Sequence, residues 1–181
     1  LEKYKGVNPE ALVESAKGHI DLLEKGGFYD IVVSIKSSDV MTTIAANRLF
    51  AKQFDYPLHL GVTEAGTYDD SVVKTSLCFG SLLSDGIGST VRVSITGNPV
   101  REVEAAKKML SYMGMYDDHV FEIISCPTCA RTNGNLEEYV SQVREALKNE
   151  KPIKYVKLAV MGCSVNGIGE GKSADLGIAN R

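Results

Sequence analysis

Cysteine is scarce: four among 181 residues, too few for a disulfide-stapled scaffold. Three of them, Cys126, Cys129 and Cys163, fall near proline and glycine, which reads as a site in a reducing compartment and not as a framework. A basic excess is also missing. Lysine and arginine total 20 against 23 acidic residues, a formal charge of −3, which argues against a general nucleic-acid binder. No apolar run approaches the ~20 residues of a membrane span. The opening Leu-Glu-Lys-Tyr-Lys has no apolar stretch behind its charge, so no signal peptide is expected. It also lacks an initiator methionine, so a piece of something longer is expected. Low-complexity segments are absent. What remains is ordinary globular composition, 44% hydrophobic and 24% charged, in a length that suits one fair-sized domain or two small ones.

Five short β-rich runs read as strands, at residues 31–36, 58–63, 90–96, 120–125 and 155–161. Their starts recur at the spacing of βα units, about 30 residues. Helical patterns lie between them. Asn8-Pro9 opens the first and Gly26-Gly27 ends it. Asn98-Pro99 opens another, and Asn135 a third with Tyr139, Val140, Val143, Ala146 and Leu147 on one face. Residues 38–54 and 70–83 also read as helices. Alternation of this kind implies a parallel sheet, either doubly wound or part of a (β/α)8 barrel; there are too few units for a complete barrel. Function then collects at the C-terminal ends of the strands, where Ser34, Lys36, Thr63, Glu64, Ser94 and Thr96 gather. The pattern loses its period over residues 114–119, which contain Asp117-Asp118, so a boundary is expected there, dividing 1–115 from 116–181.

The motif with the most chemistry is Cys126-Pro127-Thr128-Cys129, followed by Cys163. Three thiolates and a further oxygen ligand suit a [4Fe–4S] cluster. Zinc prefers four Cys or His ligands, and the only nearby histidine is His119. Thioredoxin-like chemistry would leave Cys163 idle. Three cysteines that merely lie near turns remain the plain alternative. After Cys163 comes Ser-Val-Asn-Gly-Ile-Gly-Glu-Gly, whose glycines suit close backbone approach to a ligand. Asn166-Gly167 and Gly169-Glu170-Gly171 read as turns in a Gly-rich loop, and Glu170 offers an oxygen. It is not a P-loop, since Gly171-Lys172-Ser173 lacks the upstream spacing.

Lys36 ends an apolar strand, where a lysine can bind phosphate, form a Schiff base, or simply meet water. Glu64, after Leu-His-Leu-Gly-Val-Thr, is placed for acid–base work or as an ordinary acid at a helix start. Arg92, Ser94 and Thr96 alternate on one strand face, which suits an oxyanion or a polar edge. Cys78 reads as core, His19 and His119 as surface or structural residues. His59 flanks the Glu64 strand and is a candidate lining residue.

Five motifs in order, Val-Ser-Ile-Lys-Ser-Ser-Asp-Val (33–40), Pro-Leu-His-Leu-Gly-Val-Thr-Glu-Ala-Gly (57–66), Asp-Gly-Ile-Gly-Ser-Thr-Val-Arg-Val-Ser (85–94), Cys-Pro-Thr-Cys-Ala-Arg (126–131) and Gly-Cys-Ser-Val-Asn-Gly (162–167), closely resemble the 4-hydroxy-3-methylbut-2-enyl diphosphate synthase family. These are iron–sulfur enzymes of the non-mevalonate isoprenoid pathway. The resemblance covers essentially the whole chain. It implies the last βα units of a (β/α)8 barrel followed by a small α+β iron–sulfur domain. The implied reaction opens 2-C-methyl-D-erythritol 2,4-cyclodiphosphate and removes an oxygen as water, with two electrons from ferredoxin or flavodoxin. Cys126, Cys129 and Cys163 would bind the [4Fe–4S] cluster, with Glu170 as fourth ligand. Glu64 would be the acid–base residue. Lys36, Arg92 and Ser94 would hold the diphosphate, and Asn166 would lie near the reacting carbon. A homodimer is implied, in the cytoplasm of a bacterium, with a plastid stroma left open.

Two departures stand out. The family loop reads Asn-Gly-Pro-Gly-Glu, and here Ile168 replaces the proline, which makes the loop less rigid. The matching region is the later part of the family's sequence, without the first barrel strands and stopping early at the C-terminal end, so no activity is expected from this piece alone. Exposed sheet edges would also leave a partial barrel unstable. Two other functions compete: a Schiff-base aldolase using Lys36, and a non-catalytic zinc module using the three cysteines and His119.

Overall fold

The structure, a computed structural model, describes residues 3–116 and 119–179. The Asp117-Asp118 pair lies outside the described residues. The chain divides into two compact units, Leu1–Met113 and Gly114–Arg181.

The first unit is built from βα repeats. Helix α1 (Pro9–Lys25) begins at Asn8, whose side-chain oxygen accepts the Ala11 N–H at 2.8 Å. Helix α2 (Val40–Ala51) begins at Asp39, which accepts the Thr42 N–H at 2.7 Å; those bonds from Thr42 hold the Asp39 carboxyl below its ordinary range. Strand β1 (His59–Leu60), helix α3 (Tyr68–Ser84), strand β2 (Thr90–Val91) and helix α4 (Val100–Tyr112) follow. The β1 and β2 strands pair in parallel, His59 with Thr90 and Leu60 with Val91.

All three strands expected in this unit are shorter than the sequence suggests. Residues 31–36 contribute a parallel bridge, Val33 to Leu58, and 58–63 and 90–96 keep only β1 and β2 as regular strand. Ladder bonds nonetheless continue in places: His59 N–H to the Val33 carbonyl at 2.8 Å, Arg92 N–H to Leu60 at 2.9 Å and Thr63 N–H to Ser37 at 3.2 Å. The reason for the shortening lies at the strand ends. There the backbone bonds to helix side chains in place of a neighbouring strand. Buried Asn47 of α2 donates to the Ile35 carbonyl at 2.9 Å. Thr43 Oγ1 accepts the Ser37 N–H at 3.0 Å. Ser71 of α3 donates to the Ser94 carbonyl at 2.6 Å, and Glu102 of α4 accepts the Ile95 N–H at 2.8 Å.

The core of this unit sets Val33, Ile35, Leu58, Leu60, Val62, Val93 and Ile95 against Ile44, Phe50, Phe79 and Leu82 of the helices. Cys78 is fully buried among them, and burial pushes its thiol up to about 11. Arg48 fastens α2 to α3 through Asp85 and Ser81, each at 2.8 Å.

The second unit is a parallel sheet in the order β3-β4-β5, from β3 (Phe121–Ser125), β4 (Val156–Met161) and β5 (Leu176–Ala179). Helix α5 (Leu136–Leu147) crosses between the first two; Asn135 caps it, accepting the Glu138 N–H at 3.3 Å. The central strand carries the burial: Leu158, Ala159, Val160 and Met161 are all buried. The sequence reading missed β5 and expected a loop after Cys163. Instead, α6 (Ser164–Gly169) and a 3-10 turn (Glu170–Ser173) occupy that stretch. A side chain at Gly167 would overlap Ala179 of β5. The glycines thus serve close packing of a short helix on a strand. No helix among the described residues is long and apolar enough to cross a membrane.

Candidate functional site

The parity of the parallel segments divides the first unit into two faces. With Val33, Ile35, Leu58, Leu60, Val62, Val93 and Ile95 turned into the core, the intervening Ser34, Lys36, His59, Gly61, Thr90, Arg92 and Ser94 belong to the opposite face. Contacts knit this polar face together across the strands. Ser34 Oγ donates to the His59 carbonyl at 3.3 Å, and His59 Nδ1 lies 2.8 Å from Thr90 Oγ1. The Lys36 side chain runs over Gly61; a Cβ there would be 3.1 Å from Nζ and 2.8 Å from the Arg92 carbonyl.

Electrostatics follow from that crowding. Burial, then the Arg92 guanidinium, pull the Lys36 ammonium below its ordinary value. Burial, then Lys36 and Arg92, do the same to His59. Two cations and an imidazole that resists protonation make a face short of negative charge. An anion placed there would relieve the repulsion. The side chains that tie down the strand ends hold this face in place: Asn47 fixes the carbonyl before Lys36, and Ser71 the carbonyl of Ser94 itself.

Glu64 follows at the end of the β1 segment. Its backbone adopts φ of 53°, the left-handed region that L residues rarely occupy. Thr63 and Glu64 are exposed, between the buried Val62 and Ala65. The unusual backbone falls where a carboxylate is exposed just before the chain is buried again at Ala65.

In the second unit the cysteines sit on adjoining loops. Because β3 and β4 run parallel with Ser125 opposite Val160, the loop starting at Cys126 and the loop starting at Gly162 leave the same end of the sheet. The Gly162 N–H points to Cys126 Sγ at 3.4 Å, and the Asn133 N–H donates to the Gly162 carbonyl at 2.9 Å. Cys163 is buried at the start of α6. Cys129 is exposed; the Arg131 backbone N–H, then the Thr132 hydroxyl, hold its thiol below the ordinary value. Asn166 lies half-buried within α6, and Glu170 is exposed where α6 gives way to the 3-10 turn.

Two metal centres differ in what they ask of this donor set. Among the described residues, no three or more His, Cys, Asp or Glu side chains surround a single ion position. His119 and the three cysteines are thus not gathered around one ion position in this structure. A four-iron cluster asks for something else, one ligand per iron, spread around a cube. Cys126 and Cys129, whose sulfurs already receive backbone N–H donors, suit thiolates carrying such a cluster. The residues present fit that group.

Several positions that shape these sites escaped the sequence reading: Asn47, Ser71, Glu102 and Thr132. Asn47 left one signal, a polar residue inside the apolar pattern of α2. An isolated serine, threonine or glutamate leaves none.

Comparison with known proteins bears on both units. Residues 1–107 match the family described as the GcpE TIM-barrel domain, and residues 122–181 the GcpE protein C-terminal domain. A protein of Thermodesulfovibrio yellowstonii is 52% identical over 179 residues, 99% of this chain and 50% of its own length. A protein of Caldanaerobacter subterraneus is 50% identical and one of Clostridium acetobutylicum 52% identical, with the same coverage of both chains. All three are named 4-hydroxy-3-methylbut-2-en-1-yl diphosphate synthase (flavodoxin). The chain spans about half the length of these curated relatives. With both units matched in order, the chain belongs to the GcpE family.

Proposed function

We propose that this chain is the later half of a 4-hydroxy-3-methylbut-2-en-1-yl diphosphate synthase, which reduces 2-C-methyl-D-erythritol 2,4-cyclodiphosphate with electrons from flavodoxin. The first unit would be the closing βα units of a barrel and the second the iron–sulfur domain, in a homodimer. The donor is taken from the names of the relatives; ferredoxin is the alternative. The observation that carries the reading is the Lys36 ammonium, laid over Gly61 and close enough to the Arg92 guanidinium to feel its charge. Two crowded cations with Ser94 on the same face are what a diphosphate neutralises.

In this reading Cys126, Cys129, Cys163 and Glu170 hold a [4Fe–4S] cluster. When bound, the cluster supplies single electrons to the carbon that loses its oxygen. The rest falls to this chain's side chains. Lys36, Arg92 and Ser94 grip the diphosphate. His59 stays neutral beside the two cations, so it can accept or donate one hydrogen bond without adding charge. Glu64 delivers a proton to the departing oxygen, which leaves as water once two electrons and the required protons have been added. Asn166 orients the substrate at the reacting carbon. A lowered lysine also suits a Schiff base. Here, however, part of the lowering comes from a neighbouring arginine, and two adjacent cations favour an anion over a carbonyl.

The test is anaerobic reconstitution with iron and sulfide, with Cys129→Ser and Glu170→Ala alongside, followed by a flavodoxin-coupled assay in the full-length protein. The expected result is a broad cluster absorption with about four irons per chain, lost in Cys129→Ser, and conversion of the cyclic diphosphate. Wild-type protein that binds no iron, or converts nothing with its cluster present, overturns the reading.

A further inference from the structure

Thr132 lies just beyond the Cys126–Cys129 motif and carries none of the expected chemistry, yet it touches both cysteine loops. Its Oγ1 accepts the Cys129 N–H at 3.0 Å, and its own N–H donates to the Cys129 carbonyl at 2.9 Å. The lone pair engaged by Cys129 N–H leaves the hydroxyl proton free for another acceptor. The acceptor it meets is Cys129 Sγ, at 3.9 Å. The methyl side of Thr132 presses on the other loop. A Cβ at Gly162 would be 2.7 Å from Thr132 Cγ2 and 3.2 Å from Oγ1, so only glycine lets Thr132 settle there. Gly162 in turn precedes Cys163 and aims its N–H at Cys126 Sγ. One side chain thus makes contact with the Cys129 sulfur and with the residue between β4 and Cys163.

From this geometry we propose that Thr132 is a positioning residue of the iron–sulfur site, donating its hydroxyl to the Cys129 sulfur and wedging its methyl against Gly162 to set the spacing of the two cysteine loops. The inference rests on the cluster reading above. The hydroxyl has a defined electronic consequence. A reduced cluster carries one more negative charge than an oxidised one, and a donor to a ligand sulfur stabilises the more negative state. Hydrogen bonds to sulfur are among the factors that set cluster potentials. Thr132 therefore raises the reduction potential and makes the cluster easier to reduce. The methyl has a mechanical consequence, keeping the loops together while no iron is bound.

Thr132→Val keeps the methyl and removes the donor; Thr132→Ser keeps the donor and removes the methyl. Each is prepared in the full-length protein, reconstituted anaerobically, and read by the midpoint potential and the spectrum of the reduced cluster. Thr132→Val is expected to disfavour reduction about tenfold, which is ~59 mV for one electron, while Thr132→Ser keeps the wild-type potential. If Thr132→Val holds no iron, Thr132→Ala is compared with Thr132→Ser. Iron held by serine but by neither valine nor alanine supports the hydroxyl role, since serine and alanine differ only by that group. Equal potentials in all variants, or a serine variant as low as valine, overturn the inference. Wild-type protein without iron would instead strike the cluster reading itself, so the two failures are separable.

Discussion

Lys36 Nζ and Gly61 share one space: a Cβ on the glycine would come within 3.1 Å of the ammonium nitrogen and 2.8 Å of the Arg92 carbonyl. The first neighbour is flexible and can move, but the carbonyl is backbone and cannot swing away. Gly61→Ala should therefore spread the strands and displace Lys36 together. Overpacking of this kind costs roughly 1–3 kcal/mol. The expected outcome is a lower unfolding temperature and weaker pyrophosphate binding by calorimetry. A variant with unchanged affinity would show that Lys36 is not held for its anion by the bare backbone beneath it.

The same lysine contributes to a titration. His59 is depressed by burial first, then by the charges of Lys36 and Arg92. A depressed folded value means that the neutral form stabilises the fold. That contribution is complete above the ordinary value of 6.5 and is lost as pH falls through the lower folded value. Lys36→Met removes one of the two cations. The His59 ring resonances, followed by NMR, should then titrate closer to 6.5, while pyrophosphate affinity falls by about tenfold to a hundredfold, as expected for losing a charged hydrogen-bonding partner. Bound pyrophosphate in the unmodified protein should also raise the His59 value. A ring that titrates identically with and without the lysine would contradict the placement of these groups.

Asn47 tests how the strand end is held. It is fully buried, and its amide donates to the carbonyls of Ile35 and Thr43, at 2.9 Å and 2.8 Å. Asn47→Ala leaves the Ile35 carbonyl without that donor, one residue before Lys36. An unsatisfied buried group costs about 1–3 kcal/mol, and a cavity adds to it. Urea unfolding should show a loss at the upper end of that range. Asn47→Asp should cost more, because burial disfavours a charge.

How much of this was readable beforehand differs between the parts of the chain. The βα order was legible because Asn8-Pro9 and Asn135 announce helices and apolar runs recur between them. Lys36, His59, Arg92 and Ser94 share a face by simple strand alternation, so their grouping was legible too. The true strand lengths were not, since Asn47, Thr43, Ser71 and Glu102 reach the strand ends from the helices, and no hydrophobic pattern announces a helix side chain bonding to strand-end backbone. The glycines after Cys163 misled for a physical reason. Glycine permits both a loop and close packing, and only the position of Ala179 in the fold decides for packing at Gly167. Strand β5 is short and exposed on both sides, so it carries no apolar alternation to be read.

Glu64 separates stability from activity. Its φ of 53° places a non-glycine residue in the left-handed region, a conformation that costs on the order of 1–3 kcal/mol and that glycine adopts freely. Glu64→Gly should therefore stabilise the protein by about 1 kcal/mol, visible as a raised unfolding midpoint in urea. It should also abolish turnover in the full-length protein, because it removes the proposed proton donor. Glu64→Gln keeps the strain and the shape while removing the ionisable group. It should leave stability unchanged within about 0.5 kcal/mol, leave pyrophosphate binding and cluster spectrum intact, and lower kcat without a matching change in KM. A glutamine variant with full kcat would remove Glu64 from the chemistry. A glycine variant that is less stable than wild type would show that the carboxylate is part of the local structure and that the backbone is not strained for function.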